Sequence, residues 1–157
     1  MPAAGGEGER LLRTTTLIPD LSPDGRYVSV MTDVGTLEAR LCVFDLVERK
    51  LLPGAFPLQV LPGTVQIGRS RFMPDGNSIA FVQAGAHGEP VLVKRPVSEW
   101  RTGAGASETL FPAATEGIES FTFSPDGKRA TVSIVDWISG LTIADGVRGI
   151  VPPTRPR

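Results

Sequence analysis

Apolar and polar residues alternate along this chain in short runs, and the runs recur around one turn. The stretches "SPDGRYVSV" from Ser22, "MPDGNSIAF" from Met73 and "SPDGKRATVS" from Ser124 carry the same pattern. Their glycines are Gly25, Gly76 and Gly127, and both intervals are 51 residues. Four residues before each glycine stands an apolar residue: Leu21, Phe72, Phe123. Three and five residues after it stand Val28 and Val30, Ile79 and Phe81, Ala130 and Val132. Between each pair lies a small or polar residue: Ser29, Ala80, Thr131. Alternation with period two, in register with a turn, predicts a half-buried strand on each side of it.

Further strands follow in each repeat. "RLCVFDL" (40–46), "PVLVKRPV" (90–97) and "GLTIADG" (140–146) predict a third strand. Leu41 with Val43, Val91 with Val93, and Leu141 with Ile143 are its expected inward pairs, at offsets of 16, 15 and 14 from the glycine. A weaker fourth run starts as "KLLPG" at Lys50, "ETLFP" at Glu108 and "VRGIV" at Val147. Four strands per repeat and a period near 50 are the signature of propeller blades. The expected fold is therefore all-β: a β-propeller fragment of about three four-stranded antiparallel blades, near 14–65, 66–116 and 117–152. Residues 1–13 are expected to be an N-terminal tail or the last strand of a missing blade, and 153–157 a disordered tail.

The turn itself follows from its residues. Pro presets φ, Asp tolerates the bridge region, and Gly takes positive φ, which makes a type I turn with a Gly bulge. Ser22 and Ser124 can accept hydrogen bonds from nearby amides, whereas Met73 cannot. Asp24, Asp75 and Asp126 are read as turn formers, since three copies of one catalytic acid in one chain make little sense.

Composition narrows the function. The formal net charge of −1 gives no electrostatic case for nucleic acid or an anionic membrane. Eighteen Gly and fourteen Pro, spread evenly, suit many short elements. One Cys excludes an internal disulfide framework and any multi-Cys metal site, and one His excludes two-His zinc motifs. No apolar run approaches the roughly 18 residues of a membrane helix. The N-terminus has no apolar signal-peptide core, so the chain as written reads as cytoplasmic.

The three turns, each followed by a "VFDL"- or "TIADG"-like strand, resemble the WD-repeat-like propeller repeats of the TolB type, over roughly residues 14–152. "IGRSRFMPDGNSIAFV" and "LTIADGVRGIVPP" look most like the C-terminal propeller regions of bacterial serine/threonine protein kinases. That resemblance implies a non-catalytic module for protein or ligand recognition, extracytoplasmic if the kinase is membrane-anchored. Alternatives within the family are the substrate-gating propeller of a prolyl-oligopeptidase-type peptidase without its catalytic domain and a TolB-like periplasmic interaction protein.

Closed propellers have four to eight blades, and an arc of three leaves two apolar faces open, which calls for a partner. The chain is read as a piece of a longer protein, as one half of a ring closed by a second copy, or as an open arc. "GERLLRTTT" (8–16) resembles "VERKLLPGA" (47–55), so the chain is expected to begin with the last strand of a missing blade.

No catalytic motif is present. The G-x-S-x-G elbow, the phosphate-binding glycine loops and the kinase H-R-D and D-F-G motifs are all missing from the sequence. No catalytic, cofactor-binding or metal site is assigned, no cofactor is expected, and the chain is read as not an enzyme. His87 in "AGAHGEP" reads as an exposed hairpin residue, and Cys42 as buried filler on the face opposite Leu41 and Val43. "RTGAGASE" (101–108) reads as a flexible loop. Trp100 and Trp137 are core or rim residues, and Trp100, in the insert "SEWR", is the better candidate for a binding surface.

Overall fold

A computed structural model describes residues 11–12, 19–33, 39–58, 70–111 and 117–135. Three antiparallel sheets follow one another along the chain. The first runs in the order β1 (Asp20–Leu21), β2 (Tyr27–Thr32), β3 (Arg40–Asp45), β4 (Lys50–Pro57). The second runs β5 (Ser70–Phe72), β6 (Ser78–Ala84), β7 (Pro90–Pro96), β8 (Glu108–Phe111), with a helix α1 (Val97–Thr102) between its last two strands. The third pairs β9 (Gly117–Phe123) with β10 (Ala130–Val135). Two complete four-stranded meanders thus stand where the pattern puts them. The expected third and fourth strands of the last repeat, the disordered tail and most of the 8–16 segment lie outside the described residues; Leu11 and Leu12 belong to no strand.

Each repeated turn closes in the same way. The N–H groups of Gly25, Gly76 and Gly127 donate to the carbonyls of Ser22, Met73 and Ser124, each at 2.8 Å. The glycines sit at φ of +71°, +71° and +68°, where a side chain is strained. Asp24, Asp75 and Asp126 each accept the N–H two residues on. The Ser22 and Ser124 hydroxyls accept the amides of Tyr27 and Arg129. Met73 lacks that bond, yet its main-chain bonds to Ser78 and Gly76 remain. The hydroxyl therefore reinforces the turn without defining it.

Two cores lie on opposite faces of the second sheet. One gathers Met31, Leu41, Val43 and Leu52 of the first sheet against Phe72, Ile79, Phe81, Val93, Val97 and Trp100. The other gathers Ala80, Val82 and Leu92 against Ile118 and Phe121 of the third sheet. The period-two alternation of β6 thus sends Ile79 and Phe81 one way and Ala80 and Val82 the other. The small residue after the first two turns is therefore a core position as well: Ser29 and Ala80 are fully buried, whereas Thr131 after the third is exposed.

The third strand departs from the expected equivalence. Met31 pairs with Leu41 and Val82 with Leu92, so Leu92 matches Leu41, at an offset of 16 in both repeats. Val91 and Val93 do not correspond to Leu41 and Val43; they meet them across the seam from the other side. A shift of one residue reverses the face of a strand, and apolar residues on both faces of β7 hid that shift in the sequence. The spacing from the turn glycine to the equivalent position of the third strand does not change between these two repeats.

The expected open apolar face is also narrower than the pattern implies. On the side of the first sheet away from the second, Val30, Cys42 and Phe44 are buried, and Leu21 is 56% exposed.

Candidate interaction site

The seam between the first two sheets is the most elaborated part of the molecule, and α1 builds it. The helix has six residues, and its N-cap, Pro96, makes no side-chain capping bond. Isolated helices of that length are unstable in water, so tertiary contacts hold this one. Gly103 ends it in the left-handed conformation, φ +71°, donating to the Glu99 carbonyl. Its Trp100 is fully buried, 4.8 Å edge-on to Phe56 and 6.2 Å from Phe81, ring centre to ring centre. A Cβ at Gly54 of β4 would stand 2.8 Å from the Trp100 backbone, so only glycine lets the helix lie against the neighbouring sheet. Trp100 is thus a core residue, one of the two placements expected for it, and the alternative of a binding surface in "SEWR" falls away.

The next residue in the helix, Arg101, reaches back to the first sheet. Its guanidinium donates to Asp45 Oδ2 at 3.1 Å, to Glu48 Oε1 at 3.3 Å and to the Tyr27 hydroxyl at 2.7 Å. Arg26 reaches the same Asp45 oxygen from within the first sheet, through Nε at 3.2 Å and Nη2 at 3.0 Å. The other Asp45 oxygen accepts the N–H groups of Val47 and Glu48. Asp45 is fully buried. Burial by itself would raise its carboxyl, but the Glu48 amide, Arg26 and the Val47 amide outweigh burial and hold it below the usual carboxylate range. Asp45 is the buried member of this cluster, and losing both arginines would leave its charge without an ionic partner. Arg101 and Thr102 were assigned to a flexible loop by their sequence; they close the helix instead.

A cavity of about 210 Å³ opens at this seam, lined by Phe56, Pro57, Phe81, Gln83, Ala84 and Arg95. The Arg95 guanidinium lies 3.7 Å above the Phe56 ring and is only 11% exposed. It is pinned by the Gly105 carbonyl at 3.0 Å from Nη1 and by Ser107 Oγ at 3.3 Å from Nε and 2.9 Å from Nη2. The Ser107 hydroxyl donates in turn to Gln83 Oε1 at 3.3 Å. The glycine-rich segment after the helix is therefore tied down, and its carbonyl holds the one charged side chain of the cavity wall.

The remaining candidates are scattered. His87 is exposed in the β6–β7 hairpin, where its amide donates to Glu89 Oε2 at 2.8 Å. Cys42 is buried on β3, and burial pushes its thiol up, which suits an inert filler. Trp137 lies outside the described residues. Among the described residues no group of three or more His, Cys, Asp or Glu is placed to hold a metal, and no helix is long and apolar enough to cross a membrane. Arg95 and the Arg101–Asp45 pair were not singled out from the sequence, because each depends on partners far away in the chain.

No family model matches the chain, and no curated protein matches it. Among solved structures, the crystal structure of TolB from Acinetobacter baumannii is similar, with a TM-score of 0.50 and 22% identity. The match covers 73% of this chain and 25% of that one, so it spans about a quarter of the TolB chain. At this identity the likeness supports the propeller fold.

Proposed function

We propose that the chain is a non-catalytic recognition module, a run of propeller blades that works within a larger ring. The observation that carries this reading is a contrast between equal positions. Leu21 is 56% exposed, and its counterpart one repeat later, Phe72, is 7% exposed against the first sheet. The turns repeat the contrast. The Pro23 ring lies 3.6 Å from where a Cβ of Gly76 would stand, and the Pro74 ring 3.8 Å from that of Gly127. Gly25 has nothing within 4 Å. Each blade rests its proline on the glycine of the next, and among the described residues no proline rests on Gly25. The missing neighbour is another blade, from a longer chain or a second copy.

In sedimentation at high concentration the chain is expected to associate, and Leu21→Glu to shift it towards monomer. A wild type that stays monomeric throughout contradicts this reading.

Within that class, the resemblance of "IGRSRFMPDGNSIAFV" favours a sensor region attached to a bacterial serine/threonine kinase. An adjoining kinase domain with a membrane helix between would support it. An adjoining hydrolase domain would support the peptidase gating propeller instead, and a free-standing exported propeller the TolB-like interaction protein.

A further inference from the structure

We propose that the cavity between the first two sheets binds a carboxylate carried on a single aromatic ring. Its walls supply both halves of that ligand. Phe56, Pro57, Phe81 and Ala84 give an apolar lining, and Arg95 gives one fixed cationic donor. The size fits: a cavity of about 150 Å³ is enough to hold a benzene ring, and this one is about 210 Å³. It lies below the range of roughly 300–1,000 Å³ usual for larger ligands.

The charge fits as well. A guanidinium has five N–H donors, and the bonds to Gly105 and Ser107 use one on each of Nε, Nη1 and Nη2. One donor remains on each terminal nitrogen, and a carboxylate can accept from either. Glu99 Oε2 stands 3.6 Å from Nη1, too far for a hydrogen bond, and is itself buried without a hydrogen-bond partner. Burial lowers the Arg95 pKa more than Glu99 raises it, so the cation is under-compensated where it sits. An acidic ligand adds the missing charge, and its ring adds apolar contact at the partly buried Phe56. The same chemistry can come from a free aromatic acid or from a peptide ending in a phenylalanine carboxylate.

The test is an NMR titration of the whole chain with phenylacetate, followed at the Arg95 Nε–H and at the Trp100 indole N–H. That indole is buried without a hydrogen-bond partner and its ring contacts both phenylalanines of the wall. Saturable shifts with a Kd near or below about 1 mM are expected, and phenylacetamide, which lacks the charge, binds at least about tenfold more weakly. Ala84→Phe fills the cavity and abolishes the shifts while the melting temperature is retained. Arg95→Met weakens binding at least about tenfold, and Ala84→Phe stands in if Arg95→Met does not fold. A peptide ending in free phenylalanine that outcompetes phenylacetate identifies a peptide source; one that does not identifies a free acid. No saturation up to about 10 mM, equal binding of phenylacetamide, or unchanged binding by Ala84→Phe overturns the proposal. It rests on the recognition reading, yet the two fail separately: a monomeric chain that binds phenylacetate contradicts only the ring, and an associating chain that ignores it contradicts only this site.

Discussion

Two kinds of glycine hold this molecule together, and substitution separates them. Gly127 sits at φ +68°, and a Cβ there would clear the nearest ring by 3.8 Å, so the obstacle is backbone strain alone. Gly127→Val is expected to cost about 1–3 kcal/mol and to lower the melting temperature by several degrees, with Gly127→Asn milder because Asn tolerates the left-handed region. An unchanged melting temperature would show that the turn has been misidentified. Gly54 is different, since no positive φ is recorded for it and the obstacle is the Trp100 backbone 2.8 Å away. Gly54→Ala is expected to cost about 1–3 kcal/mol by overpacking and to pull Arg101 off Asp45, visible as a changed Arg101 Nε–H resonance. The first glycine was legible because its φ is set by four consecutive residues. The second was not, because its reason lies 46 positions further along the chain.

At the scale of elements, the strands were legible and the helix was not. Strands declare themselves through alternation and punctuation, and the strands of the first two repeats begin where those signals place them. "VSEWRT" has neither the length nor the periodicity of a helix; it becomes one because Trp100 is drawn into the seam and Arg101 is bound to Asp45. Asp45 itself gives the seam a pH dependence, through the Glu48 amide, Arg26 and the Val47 amide that lower its carboxyl. Asp45 has a lowered carboxyl in the folded state, so its contribution is complete above the unfolded value near 4 and is lost as pH falls through the still lower folded value. Thermal melts between neutral pH and about pH 3 should show stability falling on the acid side. Asp45→Asn should be less stable at neutral pH, because two guanidinium groups lose their shared anion, and should fall less steeply on acidification. Equal slopes for the two proteins would remove Asp45 from the account. The face reversal on β7 belongs to this scale too. With apolar residues at Val91, Leu92 and Val93, alternation carries no information about which side is which.

For the whole molecule, the described sheets form a linear array, the first core joining the first and second and the second core the second and third. Stability of such arrays is close to a sum of unit and interface terms. Trp100→Ala, which should cost about 3–5 kcal/mol, is expected to strip hydrogen-exchange protection from β1–β4 and α1 while β6, β7 and β9 keep theirs through the second core. Equal loss across all three sheets would mean that they unfold as one unit. The sequence alone determined the repeat, its turns, the strand order within each sheet and the absence of catalytic motifs, because all of these are encoded in residues close together in the chain. Tertiary structure decided which face of β7 meets which neighbour, why six residues become a helix, where Arg95 finds a cavity, and why Leu21 is exposed where Phe72 is buried. Those depend on contacts between repeats, and a repeat read by itself carries no record of what packs against it.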